Sequence, residues 1–513
     1  MMMDVVAVGV GPLSRADVVA VARAGARVEL TAEAYEAMVV SRGHVEALAS
    51  DRRPHYGVST GFGALATRYI PPPQRAVLQQ SLVRSHAAGA GPEVEREVVR
   101  AMALLRLRTL ATGRTGVRPA TAVALAGLLN AGITPVVPEY GSLGCSGDLA
   151  PLAAVALALT GEGTVRDASG AVNPAGEALQ AAGLAPVALA EKEGLALING
   201  TDGMLGMLVL ATTDLHGLLA TADLAAAMSV EALLGTDAAF AADLIALRPH
   251  PGQAVSAARM RALLTGSQIV ASHRDPATDT RVQDAYSLRC APQVHGAARD
   301  TLAHAEAVAD RELAAVIDNP VVLADGRVES NGNFHGAPLA YVLDFLAIPV
   351  ADVASMAERR TDRMLDPARS HGLPPFLADT PGVDSGHMIA HYTQAAVVAD
   401  LKRWAVPASV DSIPTSAMQE DHVSMGWAAG RKLRRVIDGL ATVLAVELLT
   451  AARALALRDP LRPAPATAAV VDALRAAGVS RPGPDRHLAP EISTVTELVR
   501  TGRLLAIAEE AVP

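Results

Sequence analysis

The chain of 513 residues contains little cysteine and few aromatic residues. Its two cysteines, Cys145 and Cys290, provide no disulfide framework, which fits a reducing cytoplasm. Aromatic residues make up only 3% of the sequence. That scarcity argues against a sandwich or barrel built from β-branched and aromatic strands.

Excess positive charge and uninterrupted hydrophobic segments are also missing. The formal net charge of −9 argues against a nucleic-acid partner or an anionic membrane. Asp4 stands near the start, with no basic region before a hydrophobic run, so the pattern is not that of a signal peptide. Glu447 and Arg453 interrupt the apolar stretch 441–457, which therefore predicts a core helix and not a membrane span. We expect a cytoplasmic protein.

Apolar residues, mostly Ala, Leu and Val, form 50% of the chain, against 19% charged residues. A chain of this length buries a large core, and its composition favours closely packed helices. We predict an all-α protein with an N-terminal helical domain (1–205) and an elongated helical bundle (206–513) that includes a C-terminal helical segment. The bundle is predicted from apolar-periodic runs at 204–228, 297–316, 339–360, 388–404 and 427–457.

The opening segment 5–14 imitates the first strand and glycine turn of a dinucleotide fold, with a helical pattern at 16–24 behind it. Ser14 stands where the third glycine should be, and a serine there better serves as a helix N-cap. No run of alternating strands and helices follows. We therefore do not predict a nucleotide site here.

The segment 141–153 reads Gly-Ser-Leu-Gly-Cys-Ser-Gly-Asp-Leu-Ala-Pro-Leu-Ala. The small residues Cys145, Ser146 and Gly147 could form a ring if the amide nitrogen of Gly147 attacked the carbonyl carbon of Cys145. Water would then be lost, and this dehydration would also remove the hydroxyl of Ser146. Gly147 suits this attack because it lacks a Cβ. The product would be an electrophilic 4-methylidene-imidazol-5-one ring. Alternatively, the segment is a turn before a helix at 149–159, capped by Ser146 or Asp148.

A second glycine-rich loop, 55–63, carries Tyr56 and could bring a mobile tyrosine close to a substrate. The pKa of free tyrosine is about 10, so an anionic Tyr56 would need positive potential nearby to lower its pKa. The alternative is a tyrosine that packs under a turn.

These segments resemble the aromatic amino-acid ammonia-lyases and aminomutases, and over nearly the whole chain the likeness is greatest to the histidine ammonia-lyases, in particular actinobacterial forms. The resemblance implies a fumarase/aspartase-like helical architecture and a homotetramer that shares its active sites between subunits. It also implies that Cys145, Ser146 and Gly147 form the prosthetic group autocatalytically, with no external cofactor, and that Tyr56 is the catalytic base. Many relatives have Ala at the position of Cys145, but ring closure uses that residue's carbonyl and not its side chain.

Removal of ammonia from an α-amino acid also requires a clamp for the substrate carboxylate. Arg289 is the candidate, because guanidinium groups bind carboxylates bidentately. Gln283, Tyr286 and Arg289 are three residues apart, so on one helix they would share a face, although Pro292 signals a break. By spacing alone this is an ordinary surface helix; by resemblance it is the family's active-site segment.

Four further positions match the family residue by residue. Asn199, in an Asn-Gly-Thr element, is implied to contact the prosthetic group and substrate, and Phe334 is implied to lie near the electrophile. Without the resemblance, Asn199 would be interpreted as a turn residue and Phe334 as a core residue. His86 and Glu420 are implied to select the substrate ring, because a carboxylate can accept the N–H of an imidazole. The alternative for Glu420 is an acidic cluster at a helix start.

Two other features are tempting. His387 and His391 are four residues apart, as in a metal-binding helix face, but the glutamate of the zinc-protease motif is missing between them, and no metal is predicted. Cys145 could be a catalytic nucleophile, yet its neighbours favour a ring precursor.

The sequence therefore predicts a carbon–nitrogen lyase that converts L-histidine to trans-urocanate and ammonia, the first step of histidine degradation. Three alternatives remain open: a tyrosine or phenylalanine ammonia-lyase, a 2,3-aminomutase, and a non-catalytic helical scaffold that never cyclises.

Overall fold

Helices account for most of the chain in the computed structural model, which describes residues 5–51, 53–144, 147–275, 282–479 and 482–513. The mainly α-helical fold predicted from the composition is confirmed. The chain divides into two compact units. Unit one comprises Met1–Leu210, Glu306–Leu343 and Pro407–Arg431, and unit two comprises Ala211–Ala305, Asp344–Val406 and Lys432–Pro513. The domain division at residue 205 remains a proposal.

The first part of the chain forms the helices α1 Arg15–Val19, α2 Ala32–Ser50, α3 Arg75–His86, α4 Arg96–Ala111, α5 Pro119–Asn130, α6 Leu149–Leu159, α7 Ala175–Ala181, α8 Glu193–Ile198 and α9 Asp202–Ala232. Residues Ala20–Ala24 extend α1 by a π-helical turn. Ser14 caps α1 in a capping box with Asp17, as its position predicted. Thr31 caps α2, and Pro119 begins α5.

Short strands in unit one connect these helices: β1 Val5–Val8, β2 Arg27–Leu30, β3 Ala90–Glu93, β4 Thr134–Pro135, β5 Pro138–Tyr140, β6 Thr164–Arg166, β7 Val172–Pro174, β8 Val321–Val322 and β9 Val328–Glu329. The opening strand β1 pairs in parallel with β2, in a sheet of two strands. Strands β6 and β7 form an antiparallel hairpin, and β4 adds to it as a third strand.

The rest of the chain forms the helices α10 Ala242–Ala246, α11 Pro251–Leu263, α12 Gln268–Ala271, α13 Tyr286–Arg289, α14 Ala291–Ala314, α15 Ala337–Leu365, α16 Met388–Trp404, α17 Gly426–Ala456, α18 Pro465–Ala476, α19 Ala489–Arg500 and α20 Arg503–Glu510. The five long runs predicted from apolar periodicity correspond to α9, α14, α15, α16 and α17, and α16 has the predicted bounds.

Three helical stretches among the described residues are long and apolar enough to cross a membrane by length and composition alone: Glu193–Ala232, Ala337–Leu365 and Gly426–Ala456. Their most apolar windows are 100%, 61% and 83% buried inside the chain. This burial is what core helices of a helical fold require, because their apolar faces are already covered by other parts of the protein.

Gln283 does not share a helix with Tyr286 and Arg289, so the common face that one helix would give the three residues is not formed. Helix α13 begins only at Tyr286, because the side chain of Asp284 accepts a 2.7 Å bond from the Thr236 amide and Ala285 is extended. Cys290 ends the helix, and Pro292 lies in the first turn of α14.

Candidate active site

Both flanks of the cyclisation candidate are anchored within unit one. Cys145 and Ser146 lie outside the described residues, whereas Gly144 and Gly147 are described. The Ser142 hydroxyl donates to Asp148 Oδ1 at 2.9 Å and accepts from the Gly144 amide at 3.1 Å. The Gly144 carbonyl accepts bonds from the Gly336 amide and the Ser424 hydroxyl. Distant parts of the chain thus hold the loop at the residue before the gap.

Asp148 does not cap its own helix α6 with its side chain. Its carboxylate accepts the amides of Gly203 at 2.8 Å and Met204 at 3.0 Å, the first turn of α9. Complete burial raises the pKa of Asp148 to about 7, although the bonds from Met204 and Ser142 oppose that rise. The loop is therefore joined to the start of a second helix.

Gly147 meets the requirement for a residue without a side chain. Its φ of +87° is in the left-handed region, and a Cβ there would overlap the carbonyl group of Gly200. The Asp148 amide donates to that same Gly200 carbonyl at 2.7 Å. The Asn-Gly-Thr element therefore packs directly against Gly147, at the end of the candidate cyclisation segment, and only glycine fits at this position.

Two adjoining cavities of unit one, of about 590 and 680 Å³, share Tyr56, Gly63, Asn319 and Glu420 in their walls. His86, Asn199 and Leu149 line the first cavity, and Phe334 lines the second. Five of the predicted site residues therefore meet here: Tyr56, His86, Asn199, Phe334 and Glu420. The walls of the first cavity are mostly apolar, as a ring-binding site requires.

Tyr56 lies in a turn, and its hydroxyl accepts a 3.3 Å bond from the Gly63 amide. Burial raises the pKa of Tyr56 above its usual 10, the Gly63 bond lowers it, and the charges of Glu420 and Asp318 raise it. The phenol is therefore protonated near neutral pH in the isolated chain. The positive potential that an anionic base needs must come from a further group.

His86 ends α3, and its Nδ1 lies 2.9 Å from the Leu82 carbonyl oxygen. Because a carbonyl oxygen only accepts, Nδ1 carries the hydrogen and Nε2 keeps its lone pair in the neutral ring. Burial lowers the pKa of His86, although the Leu82 bond and the charge of Glu420 oppose that effect. A neutral His86 can accept a hydrogen bond from a ligand in the cavity.

Glu420 does not lie at a helix start, so the acidic-cluster interpretation was wrong. It follows the short 3-10 helix Ser416–Met418, and its backbone pairs with Thr415. The Thr415 hydroxyl donates to Glu420 Oε2 at 3.1 Å. This bond holds the carboxylate at the wall that the two cavities share.

Asn199 is the C-cap residue of α8. Its side-chain nitrogen donates to the Asn319 carbonyl at 2.8 Å, and its Oδ1 is buried with no hydrogen-bond partner in the described part of the chain. A buried acceptor without a donor costs free energy, so a ligand N–H at this position would be favourable. Phe334 is only partly buried, which does not fit simple core packing.

Gln283, Tyr286 and Arg289 belong to unit two, and none of them lines these cavities. Gln283 is exposed, and Tyr286 has 70% of its surface exposed. The Arg289 guanidinium lies 4.7 Å from the centre of the Tyr286 ring, and its Nε donates to the Asp284 carbonyl at 2.9 Å. This cation–π contact orients the guanidinium.

The two histidines considered for a metal serve other contacts in unit two. His387 is buried with Nδ1 3.2 Å from the Thr450 hydroxyl, and His391 Nε2 lies 2.6 Å from Glu358. Among the described residues no group of three or more His, Cys, Asp or Glu side chains could hold a metal ion.

The sequence interpretation missed the buried charged residues that support the site, namely Arg106, Lys192, Asp202 and Asp318. Arg106 binds Asp202 and three backbone carbonyls, and a Cβ on Gly200 would overlap its guanidinium. Lys192 stands between two glutamates and looks like a surface residue. The one signal in the sequence is that the charged residues around Lys192 interrupt an apolar segment.

Comparison with known proteins identifies the family of the chain. The family described as aromatic amino acid lyase matches residues 13–476. A histidine ammonia-lyase of Streptomyces coelicolor is 66% identical over 507 residues, which cover 99% of each chain. Among solved structures, tyrosine aminomutase of Streptomyces globisporus has a TM-score of 0.93 at 38% identity, covering 99% of this chain and 98% of its own. Histidine ammonia-lyase of Trypanosoma cruzi has a TM-score of 0.90 at 38% identity, covering 100% of this chain and 96% of its own.

Proposed function

The chain belongs to the aromatic amino acid lyase family, and on that basis we propose that it is a histidine ammonia-lyase, which converts L-histidine to trans-urocanate and ammonia. The observation that carries the proposal is one pair of adjoining cavities whose walls combine Tyr56 and Asn199 with His86 and Glu420. The first two residues fit the elimination chemistry of the family. The other two fit an imidazole ring.

His86 and Glu420 recognise the substrate ring in this proposal. The neutral His86 offers Nε2 as an acceptor, since Nδ1 is bound to Leu82. Glu420 accepts the other ring N–H and stabilises positive charge on the imidazole, which a benzene or phenol ring cannot carry. The mostly apolar wall around them covers the faces of the ring.

Tyr56 removes the β-proton. Its pKa is raised in the isolated chain, so Tyr56 can act as a base only where positive charge nearby stabilises the phenolate. The substrate α-ammonium group supplies part of that charge, and Asn199 Oδ1 accepts one of its N–H bonds.

Cys145, Ser146 and Gly147 form the methylidene-imidazolone group without an external cofactor. The glycine-only conformation at 147 fits this group. The group supplies an electrophilic alkene that makes the substrate amine a better leaving group. Asn199 and Phe334 would hold it in place.

Arg289 binds the substrate carboxylate through its terminal guanidinium nitrogens, and Gln283 and Tyr286 complete that side of the site. The side chains of Gln283 and Tyr286 are exposed. Such exposure is required if they contribute to the active site of another copy of the chain. We therefore include in the proposal a cytoplasmic homotetramer whose active sites draw residues from several subunits. Arg289 would also supply positive potential for Tyr56.

The Ser146→Ala variant tests the proposed reaction. Without the serine hydroxyl the second dehydration is impossible, so the peptide spanning 141–153 should no longer be short of two water molecules and urocanate formation should fall at least about 1,000-fold. Mass spectrometry and ultraviolet absorbance measure these two effects. Full activity in this variant would contradict the proposal.

The Glu420→Gln variant tests ring recognition. An amide keeps the size of the side chain but loses the negative charge, so kcat/KM for L-histidine should fall about 100-fold, equivalent to about 2.7 kcal/mol. Steady-state kinetics with L-histidine and L-tyrosine in parallel measure the change in preference. Unchanged turnover of histidine would exclude the role given to this carboxylate.

A 2,3-aminomutase that acts on tyrosine is the second candidate, favoured by the TM-score of 0.93 to a tyrosine aminomutase. His86 and Glu420 together argue against it, because a phenol ring has a single O–H and no N–H, so it cannot donate to both acceptors. Mass analysis of the products from L-histidine, L-tyrosine and L-phenylalanine separates urocanate, cinnamate-type acids and β-amino acids. If none of the three amino acids gave a product, a non-catalytic scaffold would be favoured.

A further inference from the structure

A buried ion pair is linked to both ends of the short helix α8. Lys192 occupies the N-cap position and Asn199 the C-cap position of this six-residue helix. Lys192 Nζ lies 2.5 Å from Asp318 Oδ2, and both side chains are fully buried. The next residue, Asn319, accepts the Asn199 amide through its backbone carbonyl at 2.8 Å. Two consecutive residues therefore hold both ends of α8.

Lys192 has a φ of +68°, a left-handed conformation that residues other than Gly, Asn and Asp rarely adopt. Such a conformation persists where the surroundings enforce it. Burial lowers the pKa of Lys192 and raises that of Asp318, and their mutual attraction opposes both shifts. The 2.5 Å contact between two fully buried side chains makes the pair a fixed attachment point at low local dielectric constant.

The Asp318–Asn319 segment is itself braced. Asp318 Oδ1 accepts the Asn319 amide at 2.8 Å. The Asn331 amide group donates from its side chain to the Asp318 carbonyl at 3.0 Å, and the Asn331 backbone N–H donates to Asn319 Oδ1. The carbonyl of Asn319 is thus fixed in direction by bonds on both sides of it.

The direction of that carbonyl determines how the Asn199 amide is turned. A backbone carbonyl only accepts, so the Asn199 nitrogen must face Asn319 and Oδ1 must face away from it. That oxygen is buried and without a partner among the described residues, and Asn199 lines the cavity that also contains Tyr56. The acceptor is oriented before any ligand binds, which lowers the cost of binding.

The same segment meets the tyrosine loop. Gly57, next to Tyr56, has a φ of +74°, and a Cβ there would lie 2.9 Å from Leu195 of α8 and 3.2 Å from Pro320. Helix α8, the 318–320 segment and the Tyr56 loop are therefore in mutual contact within unit one.

We propose that Lys192 and Asp318 are positioning residues, which through Asn319 hold the Asn199 oxygen ready to accept the α-amino group of the substrate. The proposal rests on the proposed function. It assigns to the pair an effect on ligands that carry an amino group, beyond a contribution to folding.

Asp318→Asn is the first test, because it removes the charge at nearly constant volume. We expect kcat/KM for L-histidine to fall at least about 10-fold, while the dissociation constant of imidazole-4-propionate, which lacks the amino group, changes less than about twofold by calorimetry. The mass of the peptide spanning 141–153 should remain short of two waters. A merely structural role would weaken both ligands together or neither.

The double variant Lys192→Met, Asp318→Asn separates folding from positioning. It leaves no buried charge unpaired, so its thermal midpoint should exceed that of Asp318→Asn. The attachment is still absent, so kcat/KM should stay low. Recovery of kcat/KM to the unsubstituted value along with the midpoint would overturn the proposal.

Glu193→Gln is the matched control on the same helix. Glu193 is buried and binds Arg118 and Thr121, with no bond to the Asn199 side chain. Loss of the Glu193 charge should lower the thermal midpoint. It should leave kcat/KM for L-histidine and the dissociation constant of imidazole-4-propionate within about twofold of their original values. The proposal would also be contradicted if Glu193→Gln lowered kcat/KM as much as Asp318→Asn does, with no change in the binding of imidazole-4-propionate. If the unsubstituted protein formed no urocanate, the proposed function itself would fail instead.

Discussion

Buried charges serve different purposes in the two compact units. In unit one Arg106 donates to the backbone carbonyls of Ala196, Asn199 and Ile317, and Lys192 binds the irregular segment at Asp318. In unit two Arg453 also donates to the carbonyls of Leu377 and Gly483, but two buried networks join side chains of long helices. Asp223 of α9 binds His295 and Arg299 of α14, and Arg360 of α15 binds Glu447 of α17.

The difference follows from where backbone groups lack partners. Inside a helix each carbonyl is already paired, so buried charges that face one another between helices bind each other's side chains. Around the cavities of unit one the chain is irregular, and carbonyls there need donors from side chains. Buried charge beside the cavities of unit one therefore fixes the geometry of the site, whereas the Asp223 and Arg360 networks of unit two fix the packing of helices.

Arg106→Met should have the largest effect of the variants that test this difference. It leaves Asp202 buried without its partner and three carbonyls without a donor, a loss of about 3–5 kcal/mol in stability. Because those carbonyls include Asn199, urocanate formation per folded protein should fall by at least about 10-fold. Thermal unfolding followed by circular dichroism and steady-state kinetics on the folded fraction measure the two effects.

Asp223→Asn is the counterpart in unit two. It also breaks a fully buried ion-pair network, so a lower thermal midpoint is expected. The kinetic constants of the folded protein should change by less than about twofold, since the network joins helices only. A loss of kcat/KM as large as that in Arg106→Met would mean that the distinction between the units is wrong.

The pH dependence of stability should differ in sign between Asp148 and Asp223. The pKa of Asp148 is raised from 3.8 to about 7 in the folded chain, so its contribution is full below about pH 4 and is lost as pH rises to about 7, on the order of 4 kcal/mol. Burial would raise the pKa of Asp223, but the bonds from His295 and Arg299 lower it overall. Its contribution is present above about pH 4 and is lost as pH falls through its lowered pKa.

Replacement of each residue by Asn should expose this contrast in thermal midpoints measured between pH 3 and pH 8. Relative to the unsubstituted protein, Asp148→Asn should become more stable as pH rises, and Asp223→Asn should become less stable. Parallel curves for the two variants would show that their titration does not contribute as inferred.

Regular structure could be predicted from the sequence where apolar periodicity is strong. Helix α16 and helix α6 have the predicted bounds, because their apolar spacing and flanking residues act locally. Prediction failed where a distant contact decides. The pairing of Lys192 with Asp318 spans 126 residues, and Asp148 caps α9 and not the helix that follows it.

The candidate site divides in the same way. Motifs predicted Tyr56, His86, Asn199, Phe334 and Glu420, which meet at the cavities of unit one. Their roles remain proposals. The residues that orient them could not be predicted, because a buried salt bridge leaves no local pattern and its partners look like surface charges when seen alone.

A pair of glycines should give the smallest effects and sharpen the comparison. Gly57 combines a φ of +74° with close contacts to Leu195 and Pro320, so Gly57→Ala should cost about 1–2 kcal/mol and lower kcat by moving Tyr56. Gly217 lies in the interior of α9 with no atom within 4 Å of an added Cβ, so Gly217→Ala should stabilise the protein by about 0.5–1 kcal/mol without kinetic effect. Thermal midpoints and kcat of both variants provide the test. If Gly57→Ala kept full kcat despite lower stability, the precise placement of the Tyr56 loop would not limit turnover, and the site in unit one would tolerate the same small shifts as the helices of unit two.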